Sequence, residues 1–226
     1  MLRNKDEEKT TLIKVGYKQS EEFTCGPAAI LTAMRSLTPN IILSQEEEFL
    51  IWHEANSIFM GTGHPGCSAY GLALSAIKRG FKSVVALELN GDNFLFSDAV
   101  QDSLQNKIHR WNEARFRQLF FETGGHEKLF SIECEDIRKK LADGFACVAL
   151  TADLNSRNDG HWVVVDTIDA EQVKYFDPYI EKALHQSPTI SSDLHRLSKN
   201  QFLEMMCYGI RRKKACIYLT TSQHSL

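Results

Sequence analysis

Gln19-Ser20-Glu21-Glu22-Phe23-Thr24-Cys25-Gly26-Pro27-Ala28-Ala29-Ile30 is the stretch on which the rest of the chain turns. A Gly-Pro step follows Cys25, and then a run of helix formers and apolar residues begins, Ala28 through Met34. Proline suits the first turn of a helix, where its missing N–H would have no partner anyway. The spacing therefore predicts a helix from Pro27 to about Leu37, with Cys25 at or just before its N-terminus. Unpaired backbone N–H groups and about half a positive charge collect there, and both favour a thiolate over a thiol.

A single cysteine is more often a small buried hydrophobe than a reagent. Two distant segments change that weighting. Gly160-His161-Trp162-Val163-Val164-Val165 places a histidine at the mouth of an apolar strand, and Phe176-Asp177-Pro178-Tyr179 places an aspartate at the end of the next. A nucleophilic thiol, its base and the group that orients the base are supplied in this way, from positions far apart in sequence.

The two strands, His161 to Ile168 and Gln172 to Asp177, read as a hairpin around Asp169-Ala170-Glu171. Strand side chains alternate faces, so Asp166 is a poor partner for His161. A three-residue loop would pair Ile168 with Gln172 and set His161 opposite Tyr179. Asp177 would then be a diagonal neighbour on the same face. A two-residue loop would turn Asp177 to the wrong face unless a bulge corrected it.

Around these segments, Thr10–Val15 reads as a first strand, and Ser44 with Glu47 opens a second helix running to about Phe59. A glycine-rich loop, Gly61–Cys67, precedes a third helix from about Tyr70 to Arg79, and Lys82–Leu89 is a strand. Ser97–Phe121 is expected to be helical with Leu104, Ile108, Trp111 and Leu119 on one face, Phe116 at its edge and Arg115 in its middle. Its Lys107, His109, Arg110, Arg115 and Arg117 are better read as a solvated face than as a patch for an acidic partner. Glu133–Asp143 and Ser198–Tyr208 complete the helices, Phe145–Thr151 and Cys216–Thr220 the strands. Glu181–Leu197 reads as irregular. Helices dominate the front and strands the back, so the class is α+β with a mainly antiparallel sheet.

Composition sets bounds. The 226 residues suffice for one domain with a sizeable core, and 43% hydrophobic with 24% charged residues is ordinary for a globular protein. A formal charge of -3 argues against general nucleic-acid binding. Met1–Thr11 lacks the apolar core of a secretory signal, no apolar run approaches a membrane span, and the six cysteines are scattered. A reduced, cytoplasmic protein is expected. His64 and Cys67 have metal-ligand character but no second close pair completes a site, so neither metal nor cofactor is expected.

Gln19, five intervening residues and then Cys25-Gly26-Pro27 resemble the start of papain-fold cysteine peptidases, most nearly the bacterial peptidases that cleave double-glycine leader peptides. Gly160-His161-Trp162-Val163-Val164 followed by Phe176-Asp177-Pro178 resembles the second half of that active site. Trp52 to Met60, the glycine loop through His64 and Cys67, Gly71-Leu72-Ala73-Leu74, and Phe202 with Tyr208-Gly209 are similar to a stand-alone bacterial branch of leader-peptidase-like proteins. The resemblance implies a single papain-like domain over residues 1–226, with a helical insertion at about 90–133. It also implies that Cys25 is the nucleophile, His161 the base and then the acid, Asp177 the residue holding the imidazole, and Gln19 an oxyanion donor together with the Cys25 N–H. Gly63, His64, Gly66, Cys67 and Trp162 are expected to contact a peptide or protein substrate. Thr24 stands where the leader peptidases usually carry an acid. The expected activity is hydrolysis of a peptide or isopeptide bond through an acyl-thioenzyme. The alternatives are a thiol acyltransferase of transglutaminase type and a catalytically idle peptide-binding module.

Overall fold

A computed structural model describes residues 11–56, 66–92, 94–96, 103–152, 159–179 and 190–221, with side chains of the 103–122 helix described from residue 107. The chain forms α1 (Cys25–Leu37), α2 (Gln45–Ala55), α3 (Ala69–Lys78), α4 (Ser103–Glu122), α5 (Cys134–Ala142) and α6 (Lys199–Met205). Seven strands make one sheet: β2 (Lys82–Glu88), β3 (His126–Leu129), β4 (Ala146–Ala152), β5 (Gly160–Ile168), β6 (Gln172–Phe176), β8 (His195–Ser198) and β9 (Lys214–Thr220). Their order is β3-β2-β9-β4-β5-β6-β8, antiparallel throughout except for the parallel β2–β3 pair. A two-stranded sheet joins β1 (Gly16–Tyr17) to β7 (Ile190–Ser191). The class is α+β, as the order of elements in the sequence implies.

Both faces of the large sheet are covered, which is why its central strands are apolar runs rather than alternating ones. Val85, Val148, Leu150, Trp162, Val164 and Ile217 pack with α1, α3 and the Phe116–Phe120 face of α4. Val84, Ala149, Val163, Val165, Cys216 and Tyr218 pack on the opposite side with Ile137 of α5, Phe202 of α6 and Met206, which caps α6. β9 lies near the middle of the sheet, and all seven of its residues are buried.

The helix starts follow sequence rules closely. Ser44 accepts the Glu47 N–H, Ser68 the Gly71 N–H, and Ser198 and Gln201 satisfy one another's backbone in a capping box. Three expectations need correction. Among the described residues the first strand is Gly16–Tyr17, and residues 11–15 of the expected Thr10–Val15 strand are irregular, Thr10 lying outside the described residues; Ile13 instead gives its N–H to the buried Asp166 carboxylate at 2.7 Å. A side chain on Gly16 would overlap the Phe176 ring, so glycine is what lets β1 cross that close to β6. The second helix stops at Ala55, because Asn56 is already extended. The buried face of α4 carries His109, Glu113, Phe116 and Phe120, whereas Trp111 is 61% exposed. Two polar residues on the inner face and a tryptophan on the outer one disguised that helix's orientation. β3, β7 and β8 are too short and too polar to have stood out.

Candidate active site

α1 is the central helix, with its first ten residues buried, and Cys25 is its first residue. Its approach is prepared by a tight turn: Thr24 donates its N–H and its hydroxyl to the Glu21 carbonyl, at 3.2 and 2.9 Å. Gly26 has no side chain because there is no room for one. A Cβ there would stand 2.9 Å from Leu72 Cδ1 and 3.1 Å from Trp162 Cδ1. The closeness brings the backbone of β5 against the helix start, where the backbone N–H groups of Trp162 and Gly26 favour the Cys25 thiolate.

His161 opens β5. It pairs with Thr151 of β4, whose hydroxyl donates to the His161 carbonyl at 2.9 Å. The hairpin that brings Asp177 to it differs from the sequence expectation. Ile168 pairs with Val173, not Gln172, because the connection is one residue longer, with the Asp169 carboxylate accepting the Glu171 and Gln172 N–H groups. That register alone would turn Asp177 away from His161. A bulge between Val165 and Thr167 shifts it by one residue, so that Val165 faces Tyr175 and Val164 faces Phe176. Asp166, the extra residue, is the buried carboxylate that holds Ile13. The bulge thus restores the face relation that a three-residue loop would have given.

The result is a direct contact. His161 Nε2 lies 2.7 Å from Asp177 Oδ1, and Asp177 Oδ1 also accepts the Tyr179 N–H at 2.8 Å. The Cys25 sulfur lies close enough to the imidazole for each group to favour the charged form of the other. Burial opposes ionisation of Cys25, but the His161 ring and the two backbone N–H groups outweigh it and hold the thiol below its ordinary value. Burial likewise disfavours the imidazolium, yet the hydrogen bonds to Asp177 and Cys25 and their charges raise His161 to about 10. For Asp177 burial is again overcome, by the His161 bond and charge and the Tyr179 N–H, and the carboxyl lies below its ordinary value. All three shifts favour a thiolate, an imidazolium and a carboxylate in a row. Cys25 is 7% exposed, while the His161 and Asp177 side chains each keep 27% of their exposure, so the row opens to solvent on the histidine side.

Gln19 belongs to the same neighbourhood through its backbone, donating its N–H to the Pro178 carbonyl at 2.8 Å. Its side chain is 96% buried and donates Nε2–H to the Glu21 carbonyl at 2.8 Å; among the described residues Oε1 finds no partner. Trp162 is 2% exposed, and its indole packs over Gly26; what it turns toward Cys25 is its N–H. Cys67 is also buried. Burial pushes its thiol well up, and the nearby charge of Cys25 adds to that. Gly66 is half-buried, and Gly63 and His64 lie outside the described residues. No group of three or more metal-ligating side chains converges among the described residues.

Two residues that the sequence reading passed over tie the nucleophile loop down. Lys18 donates to the Asp177 and Tyr179 carbonyls at 2.8 and 3.2 Å. Glu48, fully buried on α2, accepts from Tyr17 and Ser20. Nothing in the sequence separates Glu48 from Glu46 and Glu47, which occupy the same first helical turn.

An N-terminal helical layer presenting a cysteine to a mainly antiparallel sheet that carries a His–Asp pair defines a papain-like, cysteine-peptidase-like fold. Comparison of the sequence with family models agrees: residues 16–220 match the model of a family described as Peptidase_C39-like, and the chain belongs to that family. No curated protein matches the chain. No helix among the described residues is long and apolar enough to cross a membrane.

Proposed function

We propose that the protein is a cysteine hydrolase that opens a peptide or isopeptide bond through an acyl-thioenzyme. The observation that carries this reading is the position of the His161 ring, bonded to Asp177 and close enough to Cys25 to favour its thiolate. Cys25 thiolate attacks the scissile carbonyl carbon, and the carbonyl π pair moves onto oxygen. The Cys25 N–H at the start of α1 and the second Nε2–H of Gln19 stabilise that oxygen; one such donor is typically worth about 10²–10³ in rate. The tetrahedral adduct collapses, its C–N bond breaks, and the His161 imidazolium gives its proton to the departing amine. Neutral His161 then takes a proton from water as the water attacks the thioester. The C–S bond breaks, the acid leaves, and thiolate and imidazolium are restored. Asp177 holds the ring in one orientation and stays ionised throughout. Because Cys25 and His161 are already charged before substrate arrives, no proton transfer precedes attack.

The test is the pH dependence of alkylation by iodoacetamide, read at each of the six cysteines by peptide mass spectrometry, in the parent protein and in His161→Ala. Cys25 should react selectively well below the ordinary thiol pKa of about 8.5, and His161→Ala should remove that advantage. A Cys25 no more reactive than the other five would refute the hydrolase reading.

A further inference from the structure

Gln19 sits in a bracket whose two arms come from different parts of the molecule. On its N-terminal side, Lys18 is bonded to the carbonyls of Asp177 and Tyr179, and Gln19's own N–H is bonded to Pro178. On its C-terminal side, Ser20 is held by Glu48. Glu48 Oε1 accepts the Ser20 N–H at 2.8 Å, and Oε2 accepts the Ser20 hydroxyl at 2.6 Å and the Tyr17 hydroxyl at 2.9 Å. Glu48 is wholly buried on a helix that packs against both α1 and α3, so this arm is anchored on a rigid element. A buried carboxylate is tolerated only when its lone pairs are satisfied, and here three donors converge on it. Two of the three belong to the residue that follows Gln19.

We propose that Glu48 is a positioning residue that aims the Gln19 amide at the oxyanion. This rests on the reading of Gln19 as an oxyanion donor given above. Gln19 spends one Nε2–H on Glu21, which leaves one for the site, and the direction of that N–H follows from the backbone at residues 19–21. Lys18 and Pro178 fix the approach to that backbone, and Glu48 fixes its exit. Misplacement of a catalytic group by about 1 Å can cost on the order of 10²-fold. Neither Cys25 nor His161 is bonded to Glu48, so the ionisation of the thiol does not depend on it.

Two reagents separate these roles. Iodoacetamide is displaced at a saturated carbon and creates no oxyanion, so it reports the thiolate alone. N-acetylglycinal, an aldehyde, takes the thiolate at its carbonyl carbon and carries the resulting charge on oxygen, so its affinity also reports the oxyanion donors. Affinity would be measured as protection of Cys25 from alkylation, in Glu48→Leu, Glu48→Gln and Ser20→Ala. Glutamine can accept the Ser20 N–H through its oxygen and donate to the two hydroxyls through its amide nitrogen, so Glu48→Gln should stay within about threefold of the parent. Glu48→Leu should weaken the aldehyde by roughly tenfold or more, and Ser20→Ala should lower it in the same direction by less. The alkylation–pH profile should be the same in all of them. Unchanged aldehyde affinity in Glu48→Leu would overturn the proposal, as would parallel loss of both readouts, which marks a merely structural role. If Glu48→Leu does not fold, Ser20→Ala decides by the same two readouts. Failure of the aldehyde to protect the parent protein, with Cys25 still selectively alkylated at low pH, would remove the oxyanion site while leaving the thiolate–imidazolium pair standing. Loss of selective alkylation in the parent would instead remove the hydrolase reading itself.

Discussion

Asp177→Asn is the sharpest perturbation of the row of charges. It keeps the size of the side chain and removes the charge that faces His161 Nε2 at 2.7 Å. A hydrogen bond to a charged group contributes about 1.5–3 kcal/mol. With 1.36 kcal/mol per unit, its loss should lower His161 by roughly 1–2 units, from about 10 to roughly 8–9. The imidazolium is read by comparing iodoacetate with iodoacetamide at Cys25. The anionic reagent is favoured only while the ring carries its proton; the neutral reagent does not sense the ring's charge directly. In the parent protein the iodoacetate advantage should persist through neutral pH and disappear as pH rises through about 10. In Asp177→Asn it should disappear roughly 1–2 units lower. The same shift bears on stability. A histidine raised above its unfolded value of about 6.5 contributes stability that is fully present below that pH and is lost as pH rises through the folded value. An iodoacetate advantage that vanishes at the same pH in both proteins would refute the role given to Asp177. One that vanishes near the ordinary histidine value in the parent would refute the ion pair as a whole.

Three further outcomes follow from the packing. Burial raises the Glu113 carboxyl to about 7, despite a hydrogen bond from Ser68, so the folded chain takes up a proton between the ordinary value and that one. Stability should therefore fall by about 3 kcal/mol as pH rises from 4.5 past 7, and Glu113→Gln should abolish that fall in urea unfolding at pH 5 and pH 8. Lys213 is fully buried, with its ammonium on Asp92 at 3.0 Å and on the Leu95 carbonyl at 3.0 Å. Lys213→Met takes the buried ammonium away from that carboxylate and should cost roughly 3–5 kcal/mol of unfolding free energy; a cost under about 1 kcal/mol would show that the pair contributes little to holding this part of the fold. Gly16→Ala drives a methyl into the buried Phe176 ring, next to Asp177. It should cost about 1–3 kcal/mol by thermal unfolding and also lower the selectivity of Cys25 alkylation, whereas Gly80→Ala, with open space around it, should affect stability through its backbone angle alone.

The parts of the molecule legible in the sequence are those whose cause is local. Ser44 and Ser198 mark helix starts because a cap acts within three residues. Cys25 is marked by the Gly-Pro that follows it, and His161 and Asp177 by the apolar strands they end. What escaped has a distant cause. The inner face of α4 is set by partners such as Ser68, which lets Glu113 lie inward and leaves Trp111 outside. β3 and β8 are strands because a neighbouring edge was open to them, not because of their own composition. Glu48 is one of three consecutive glutamates, and only the arrival of Tyr17 and Ser20 sets it apart.

The hairpin is the instructive case, because its geometry was reached by a route different from the one the sequence implied. The turn adds a residue and the bulge at Asp166 shifts the register back, so the two changes together leave His161 beside Asp177. Neither change serves that contact alone. The bulge is held open by Asp166, whose carboxylate is engaged by Ile13 from the segment leading to β1. That segment continues through Gly16, which crosses Phe176, to Lys18 and Gln19, which bind the carbonyls of residues 177 to 179. The stretch before Cys25 therefore meets the hairpin twice, once at the bulge that sets its register and once at the turn that carries the aspartate. The two halves of the site, Gln19–Cys25 on the helical side and His161–Asp177 on the sheet, are aligned by this strap as well as by the packing of Gly26 against Trp162. Loosening it at Ile13, far along the chain from Cys25, should disturb the same pair as a change at the site itself.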